Sequence, residues 1–428
     1  MTEQERFDAI VVGAGPSGLS AGYFLAKKGL NVAVLERGTE VGSKNVFGGR
    51  IYAHVFDKNF QGWRNEAPVE RWVKKEKMAL LCKSGSVSFE FEREKGQGSF
   101  TAFLNPFLNW LSSLVESEGG TVATGVKVDS INFENEYARG VTAGPDKLEA
   151  DYVVIAEGAN TLLSEKHGIK RAPGLDETSL GIKEVIKLGK DTINKRLSLE
   201  DDEGVAQFIL GEPLQGLSGG GFFYTMKEYV TVGAVVRLSE FARKRYNAKD
   251  LVEDLRLSPY LTKVLEGGTL VEYSAHLVPE SGFKGVLKKP YGNGFLVAGD
   301  AAGFLLNTGF TIRGVDMAVE SGRLAAEAIA KAHSEGGNSE ELLSSYGKLL
   351  DESFIMKNLR KFSRTADFLS DNKIYKNYVN LACSTVKGVF DEGEEAKRAF
   401  ESFRKALNIQ GISFLTVLKD AWEAYRSI

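Results

Sequence analysis

Two hydrophobic periods alternate along this chain. FDAIVV (Phe7–Val12) is a nearly continuous apolar run, as expected of a strand covered on both faces. GAGPSG follows, then SGLSAGYFLAKKGL with helical spacing, then NVAVLE as a second strand; Gly29 stands where the helix should stop. This is a βαβ unit. Strand-like runs continue through VERWVKKEKMALLCKSGSVSFEFE. NPFLNWLSSLVESEGG reads as a helix that starts near Thr101 or Asn105 and stops at Gly119–Gly120. TVATGVKVDSINFENEYARGVTAG alternates enough for two strands and a turn, and ADYVVIAEGAN reads as a buried strand.

From Thr178 to Pro279 the pattern is β-rich (SLGIKEVIKL, GVAQFIL, GGGFFYTM, YVTVGAVVRL, LVEYSAHLV), with one helical stretch at Ala248–Leu257. GFLVAGDAAGF returns to strand and turn, and GVDMAVESGRLAAEAIAKA is a helix. After Ser334 the chain is charged and helical, and Phe354, Phe362, Phe368, Tyr375 and Tyr378 recur at helix-like intervals expected of core. The fold class expected is α/β, in part α+β. Residues 1–175 and 280–333 form a discontinuous Rossmann-like nucleotide domain, 176–279 an inserted β-sheet domain for quinone or substrate, and 334–428 a C-terminal helical region.

Composition narrows the picture. The 428 residues are 43% hydrophobic and 26% charged, with net charge −3, so there is no electrostatic footprint for nucleic acid. Cys82 and Cys383 are the two cysteines, with no metal-site spacing; each is expected as core packing in a reducing compartment. The N-terminus does not read as a signal peptide. No apolar run is long enough to span a bilayer, which leaves peripheral membrane contact open.

The first chemistry lies at Gly13, Gly15 and Gly18, with Pro16 and Ser17 between them. Between a strand and a helix, such glycines permit a tight turn, close approach of backbone to pyrophosphate, and close helix–strand packing. The helix N-terminus then faces the phosphates. Glu36, ending the next strand, is expected to accept from the adenosine ribose hydroxyls, and its charge disfavours a 2′-phosphate. At this point FAD and NAD both remain open.

Later segments resolve that choice. GFLVAGDAAG, with Gly299 and Asp300, followed by TGFTIRGVD with Gly309 and Ile312, resembles the second FAD fingerprint of the para-hydroxybenzoate-hydroxylase-like flavoproteins. In that resemblance the aspartate meets the ribityl chain, and the following helix faces the pyrimidine end of the flavin. Glu157 and Gly158 resemble the superfamily's third fingerprint, which usually has Asp in place of Glu157. The implied cofactor is FAD. No second GxGxxG opens another βαβ unit, so electrons come from a transient donor or from a protein.

GSKNVFGGRIYAH, GIKEVIKL, GGGFFYT, VEYSAHLVPESG and GDAAGFLLNTGFTIRGVDMAVESG, in this order, resemble the electron-transfer-flavoprotein:quinone oxidoreductase family, in the form called FixC or EtfC. The resemblance runs nearly end to end. It implies electron transfer from the alpha and beta subunits of an electron transfer flavoprotein toward quinone, at the cytoplasmic face of a membrane. It also implies a separate small ferredoxin-like 4Fe–4S subunit, within a complex that could be flavin-bifurcating. Gly220, Gly221 and Tyr224, beside Gly219, fall in the quinone-facing strand. Arg37, Ser43, Lys44 and Asn45 fall in a loop expected over the cofactor. The arginine common in relatives near Phe103–Pro106 is absent. His54, His167, His276 and His333 are expected to be structural, with His276 the first to test.

Rival readings are a geranylgeranyl reductase, whose expected tyrosine–tryptophan–phenylalanine–proline pattern is missing from GGGFFYT, a hydroxylase, and a redox-silent FAD scaffold.

Overall fold

The computed structural model describes residues 6–43 and 48–428. The opening strand Arg6–Val12 lies in an eight-stranded sheet, flanked in parallel by Asp146–Ile155 and Val32–Glu36, with Thr121–Thr124 and Phe295–Val297 outside them. Its central strands are buried on both faces, which explains their unbroken apolar runs. The helices Pro16–Lys27, Leu104–Ser117 and Val315–Ser334 pack over this sheet. The segment expected to hold two strands between residues 121 and 144 holds three, because Thr121–Thr124 joins the parallel sheet while Ser130–Glu134 and Tyr137–Ala143 form a hairpin. The helix expected before it starts at Leu104 with no side-chain cap, and Thr101 belongs to the preceding strand.

A second sheet has nine strands. Five come from Thr178–Pro279, and four come from residues 48–103: Gly48–Tyr52, Arg71–Cys82, Gly85–Glu92 and Ser99–Phe103. The early strands expected as β insertions leaving the nucleotide unit build the other sheet. The junction is a parallel pairing of Glu203–Gly211 with Arg71–Cys82, a long-range contact with no local sequence signal.

The C-terminal helices close the remaining side. Tyr375 is buried, and Phe354 and Phe362 pack against the main core. The last two helices, Ala399–Gln410 and Phe414–Ser427, instead leave Phe400, Leu415, Trp422 and Tyr425 more than half exposed. Cys82 and Cys383, distant in sequence, meet in one apolar cluster; each is a free thiol. Among the described residues, no helix is long and apolar enough to cross a membrane, and no side-chain cluster suits a metal ion.

Arg71 holds the parallel junction. Its fully buried guanidinium donates to the carbonyls of Met226 (2.6 Å), Lys227 (3.0 Å) and Glu203 (2.9 Å) and to Asn194 Oδ1 (2.7 Å). These acceptors come from a turn, the start of a strand and a helix, which the guanidinium ties together. Replacement by Ala leaves several buried acceptors unpaired, at about 1–3 kcal/mol each before relaxation. Arg71→Ala is expected to lose roughly 3–4 kcal/mol, read as a lower urea midpoint. Arg71→Lys, which cannot reach all four acceptors, is expected to recover less than half of that loss. An unchanged midpoint would show that the junction does not depend on it.

Candidate functional site

A cavity of about 690 Å³ runs from the carboxyl ends of the first sheet's strands to the face of the second sheet. At its first end each glycine of GAGPSG has its own reason. A Cβ on Gly13 (φ +105°) would lie 2.5 Å from the Ala156 carbonyl oxygen, and one on Gly18 would lie 1.8 Å from that of Gly13. Neither could be tolerated, so these two fix strand against helix. Gly15 meets no atom within 4 Å and faces the cavity, leaving bare backbone toward a ligand. The helix Pro16–Lys27 has no side-chain cap and no acid in its first turn. Its free N–H groups and dipole thus remain available to an anion, and Pro16 sits at a position that needs no donor. Ser17 is buried and lines the cavity beside it.

Glu36 lines the cavity and is oriented by the backbone: its carboxylate accepts from the N–H of Ala14 (3.0 Å) and of Gly38 (2.7 Å). Each oxygen retains acceptor capacity toward the cavity. Arg37 also lines it, exposed. Ser43 is not in the wall; its hydroxyl donates to Glu40 O and closes a turn. Lys44 and Asn45 lie outside the described residues.

Asp300 sits where a ligand's middle would lie. It lines the cavity, and its carboxylate caps no helix and has no hydrogen-bond partner among the described residues. Burial pushes it up to about 6, opposed by the charges of His276 and Lys170. Gly299, just before it, is a spacer: at φ +66°, a Cβ there would meet Ser17 Oγ at 2.6 Å. Glu157 also lines the cavity, and it is tied to the chain that follows it. Its carboxylate accepts from the N–H groups of Leu163 (2.7 Å) and Ser164 (2.8 Å) and from the Ser164 hydroxyl (2.6 Å), so it organises the following turn. Gly158 (φ +77°) leaves open space beside it. Gly309 and Ile312 line the mouth, where Gly309 abuts the C-terminal Ile428.

The second sheet supplies the far wall. Gly220, Gly221 and Tyr224 line it, on a strand paired on both sides without a bulge. The glycines are required by neighbours: a Cβ on Gly220 would meet the Phe208 ring at 2.0 Å, and one on Gly221 would meet Leu255 at 2.9 Å. Their small size makes room for the Phe208 and Leu255 side chains while their backbone remains part of the cavity wall. Tyr224 stacks on Phe222 at 5.3 Å, and burial pushes its phenol up to about 12, so it stays a neutral donor.

Sequence reading missed the cationic wall between these ends. Arg50 and Arg313 lie over Tyr52, at 4.6 and 4.3 Å from the ring centre, and all three line the cavity. Arg50 makes a two-pronged bond with Glu76 (2.9 and 2.5 Å). Arg313 pairs with buried Asp316, which also meets His54 Nε2 at 3.0 Å. Their places beside glycine, Arg50 after Gly49 in GGRIY and Arg313 before Gly314 in TIRG, were the available signal. The expected arginine near Phe103 is absent as read, and Leu104 reaches the cavity from that segment. Of the other histidines, His276 lines the cavity, His167 accepts from the Ile131 N–H (2.9 Å), and His333 packs edge-on to Tyr152.

Comparisons with known proteins agree with this division. A family model described as "ETF-QO, ubiquinone-binding" matches residues 178–278, the strands of the far wall, and one described as the Thi4 family matches residues 1–66. The chain is 36% identical over 390 residues to the probable electron transfer flavoprotein-quinone oxidoreductase YdiS of Escherichia coli, covering 90% of this chain and 91% of that protein. It is 35% identical to protein FixC of Salmonella typhi, covering 97% and 98%. Among solved structures, a geranylgeranyl bacteriochlorophyll reductase-like protein of Thermoplasma acidophilum aligns with TM-score 0.74 at 19% identity, over 98% and 99% of the two chains. The flavin-dependent brominase Bmp2 aligns with TM-score 0.66 at 16% identity; these two likenesses establish the fold. With that fold, a dinucleotide cradle opening onto the ubiquinone-binding strands, and relatives above one-third identity along nearly the whole length, the chain belongs to the FixC-type electron transfer flavoprotein-quinone oxidoreductase family of FAD-dependent oxidoreductases.

Proposed function

We propose that this chain takes electrons from the alpha and beta subunits of an electron transfer flavoprotein and passes them to quinone through a bound FAD. The observation that carries this reading is the continuity of the cavity. One wall holds Gly15, Glu36 and Asp300, and the other holds Lys183, Tyr224 and His276 from the ubiquinone-binding segment. Glu36 holds the adenosine ribose, the N-terminus of Pro16–Lys27 holds the pyrophosphate, and Asp300 accepts from the ribityl hydroxyls. The partnerless Asp300 carboxylate and the open face at Gly15 are what a cofactor of this shape requires. FAD supplies a carrier that accepts and releases electrons singly or in pairs. Arg50 and Arg313 place positive charge where electrons arrive, and the neutral Tyr224 hydroxyl orients a quinone carbonyl. Quinone then takes up two electrons and two protons to become quinol.

The chain's two cysteines cannot hold a cysteine-ligated 4Fe–4S cluster, so a small ferredoxin-like subunit would supply it, in a complex that could bifurcate electrons. Leu415, Leu418, Trp422 and Tyr425 are exposed on the last helix, which ends at the cavity mouth through Ile428. This stripe supports peripheral contact with the cytoplasmic membrane. A prenyl reductase on the same fold is disfavoured, because the relatives above one-third identity are named electron transfer flavoprotein-quinone oxidoreductase and FixC.

Anaerobic stopped-flow mixing tests the reading. Reduced electron transfer flavoprotein should bleach the flavin absorbance rapidly, and added quinone should restore it; NADH or a prenyl substrate should not bleach it on that timescale. Rapid bleaching by NADH alone would sink the proposal.

Asp300 gives a second test. Because folding raises it to about 6, the folded apoprotein keeps a proton that the unfolded chain has already released. Apoprotein stability therefore falls as pH rises from about 4 to about 6 and levels off above that. Hydroxyl groups donating to the carboxylate favour its ionised form, so FAD affinity should strengthen as pH rises through this window. Asp300→Asn should flatten both trends and weaken FAD about tenfold or more, read by quenching of flavin fluorescence during titration. Equal pH slopes in the two proteins would remove Asp300 from the cofactor site.

A further inference from the structure

A second cavity of about 600 Å³ lies on the other side of Asp300, between the loop at residues 168–173 and the loop at residues 281–289. It shares only a few residues with the first, Asp300 among them. Five cationic side chains line it (Lys170, Arg171, Lys284, Lys288 and Lys289) against two carboxylates, Glu177 and Asp300. Three of the cations already have acids: Arg171 with Glu177, Lys284 with Asp367, and Lys289 with Glu340. Lys288 and Lys170 do not share in these pairs. The Lys170 ammonium is held inside by one hydrogen bond, to the Ala301 carbonyl at 2.9 Å. Two of its three N–H groups are left over.

A second, independent feature borders the same space. Thr161 lines this cavity and is almost fully buried, yet its hydroxyl has no hydrogen-bond partner. Its backbone is left-handed, at φ +48°, a conformation that costs a β-branched residue of order 1–3 kcal/mol. An orphan buried hydroxyl adds about another 1–3 kcal/mol. The surrounding chain maintains both costs at one residue. The rest of the wall is apolar, with Ile169, Leu287 and Phe295 prominent. The volume falls in the range of small-molecule sites.

We propose that this cavity binds an organic phosphate: a phosphate group taken by Lys170, Lys288 and the Thr161 hydroxyl, with an apolar body against Ile169, Leu287 and Phe295. The phosphate satisfies the free donors, and the ligand sits against the far side of Asp300, so occupancy is felt at the flavin. A soluble phosphoester and an anionic lipid headgroup present the same chemistry, and the test separates them.

Isothermal titration of the flavin-loaded protein with n-octyl phosphate, at constant ionic strength, should give saturable one-to-one binding. Inorganic phosphate should bind at least tenfold more weakly, because it cannot use the apolar wall. Lys288→Ala should weaken octyl phosphate at least tenfold, as should Thr161→Val, which keeps the shape and removes the donor. Lys127→Ala, a cation outside this cavity, should leave binding unchanged. A flavin difference spectrum should saturate at the same concentrations. Cosedimentation with phosphatidic acid vesicles that is lost in Lys288→Ala would assign the site to a lipid headgroup; binding of octyl phosphate without cosedimentation would assign it to a soluble ligand. Absence of saturable heat, or binding unchanged in both Lys288→Ala and Thr161→Val, would overturn the proposal. Retained flavin absorbance in each variant shows that it folds.

Discussion

The site depends on a set of contacts in which backbone lies against backbone with no room for a side chain. Gly18 rests on the Gly13 carbonyl, and Gly322, in the long helix Val315–Ser334, rests on that of Ser17; a Cβ at either would sit 1.8 or 2.0 Å from oxygen. These contacts bring two helices far apart in sequence onto one strand-to-helix turn. They also fix Gly299 against Ser17, which sets the distance from the N-terminus of the helix Pro16–Lys27 to Asp300. One added methyl group would move the two halves of the cofactor site apart. The Ser20 hydroxyl donates to the Val319 carbonyl at 2.7 Å and tightens the same seam with a buried hydrogen bond. The constraint is steric first and polar second.

From that seam outward, polar groups are placed according to what can satisfy them. Glu36 and Glu157 stand near the same cavity with similar sequence credentials, at the ends of parallel strands beside glycine. Glu157 accepts three hydrogen bonds from one turn, Glu36 accepts two, one on each oxygen, and Asp300 accepts none among the described residues. A buried carboxylate without donors is costly, and the raised proton affinity of Asp300 is how the protein alone meets that cost. Arg71 is the opposite case, a buried cation saturated by neutral acceptors, and its role ends at structure.

The first βαβ unit was legible because its signals are local: an apolar run, three glycines, a helix and an acid at fixed spacing. Its three glycines were also given the correct separate reasons. The second sheet was legible only in part. Its late strands alternate plainly, but Gly48–Tyr52 and Arg71–Cys82 enter it through long-range pairings that no short window contains. For the same reason Cys82 and Cys383 read as unrelated, though they share a cluster. The glycines of GGGFFYT show a further limit. A glycine reports that something is close, and only coordinates say whether that is a ligand or, as here, Phe208 and Leu255.

The cationic wall follows from the same reasoning about charge. Delivering an electron to a cofactor between two sheets adds negative charge in a low-dielectric place, where opposing charge has the most effect. Free cations there would have to be desolvated at large cost. The structure resolves this by giving each guanidinium a carboxylate, Glu76 for Arg50 and Asp316 for Arg313, and an aromatic face, Tyr52, between them. Arginine suits this better than lysine because its planar group can stack and pair at once. Both guanidiniums are held in place by these partners within the protein alone, so their positions do not depend on a bound ligand.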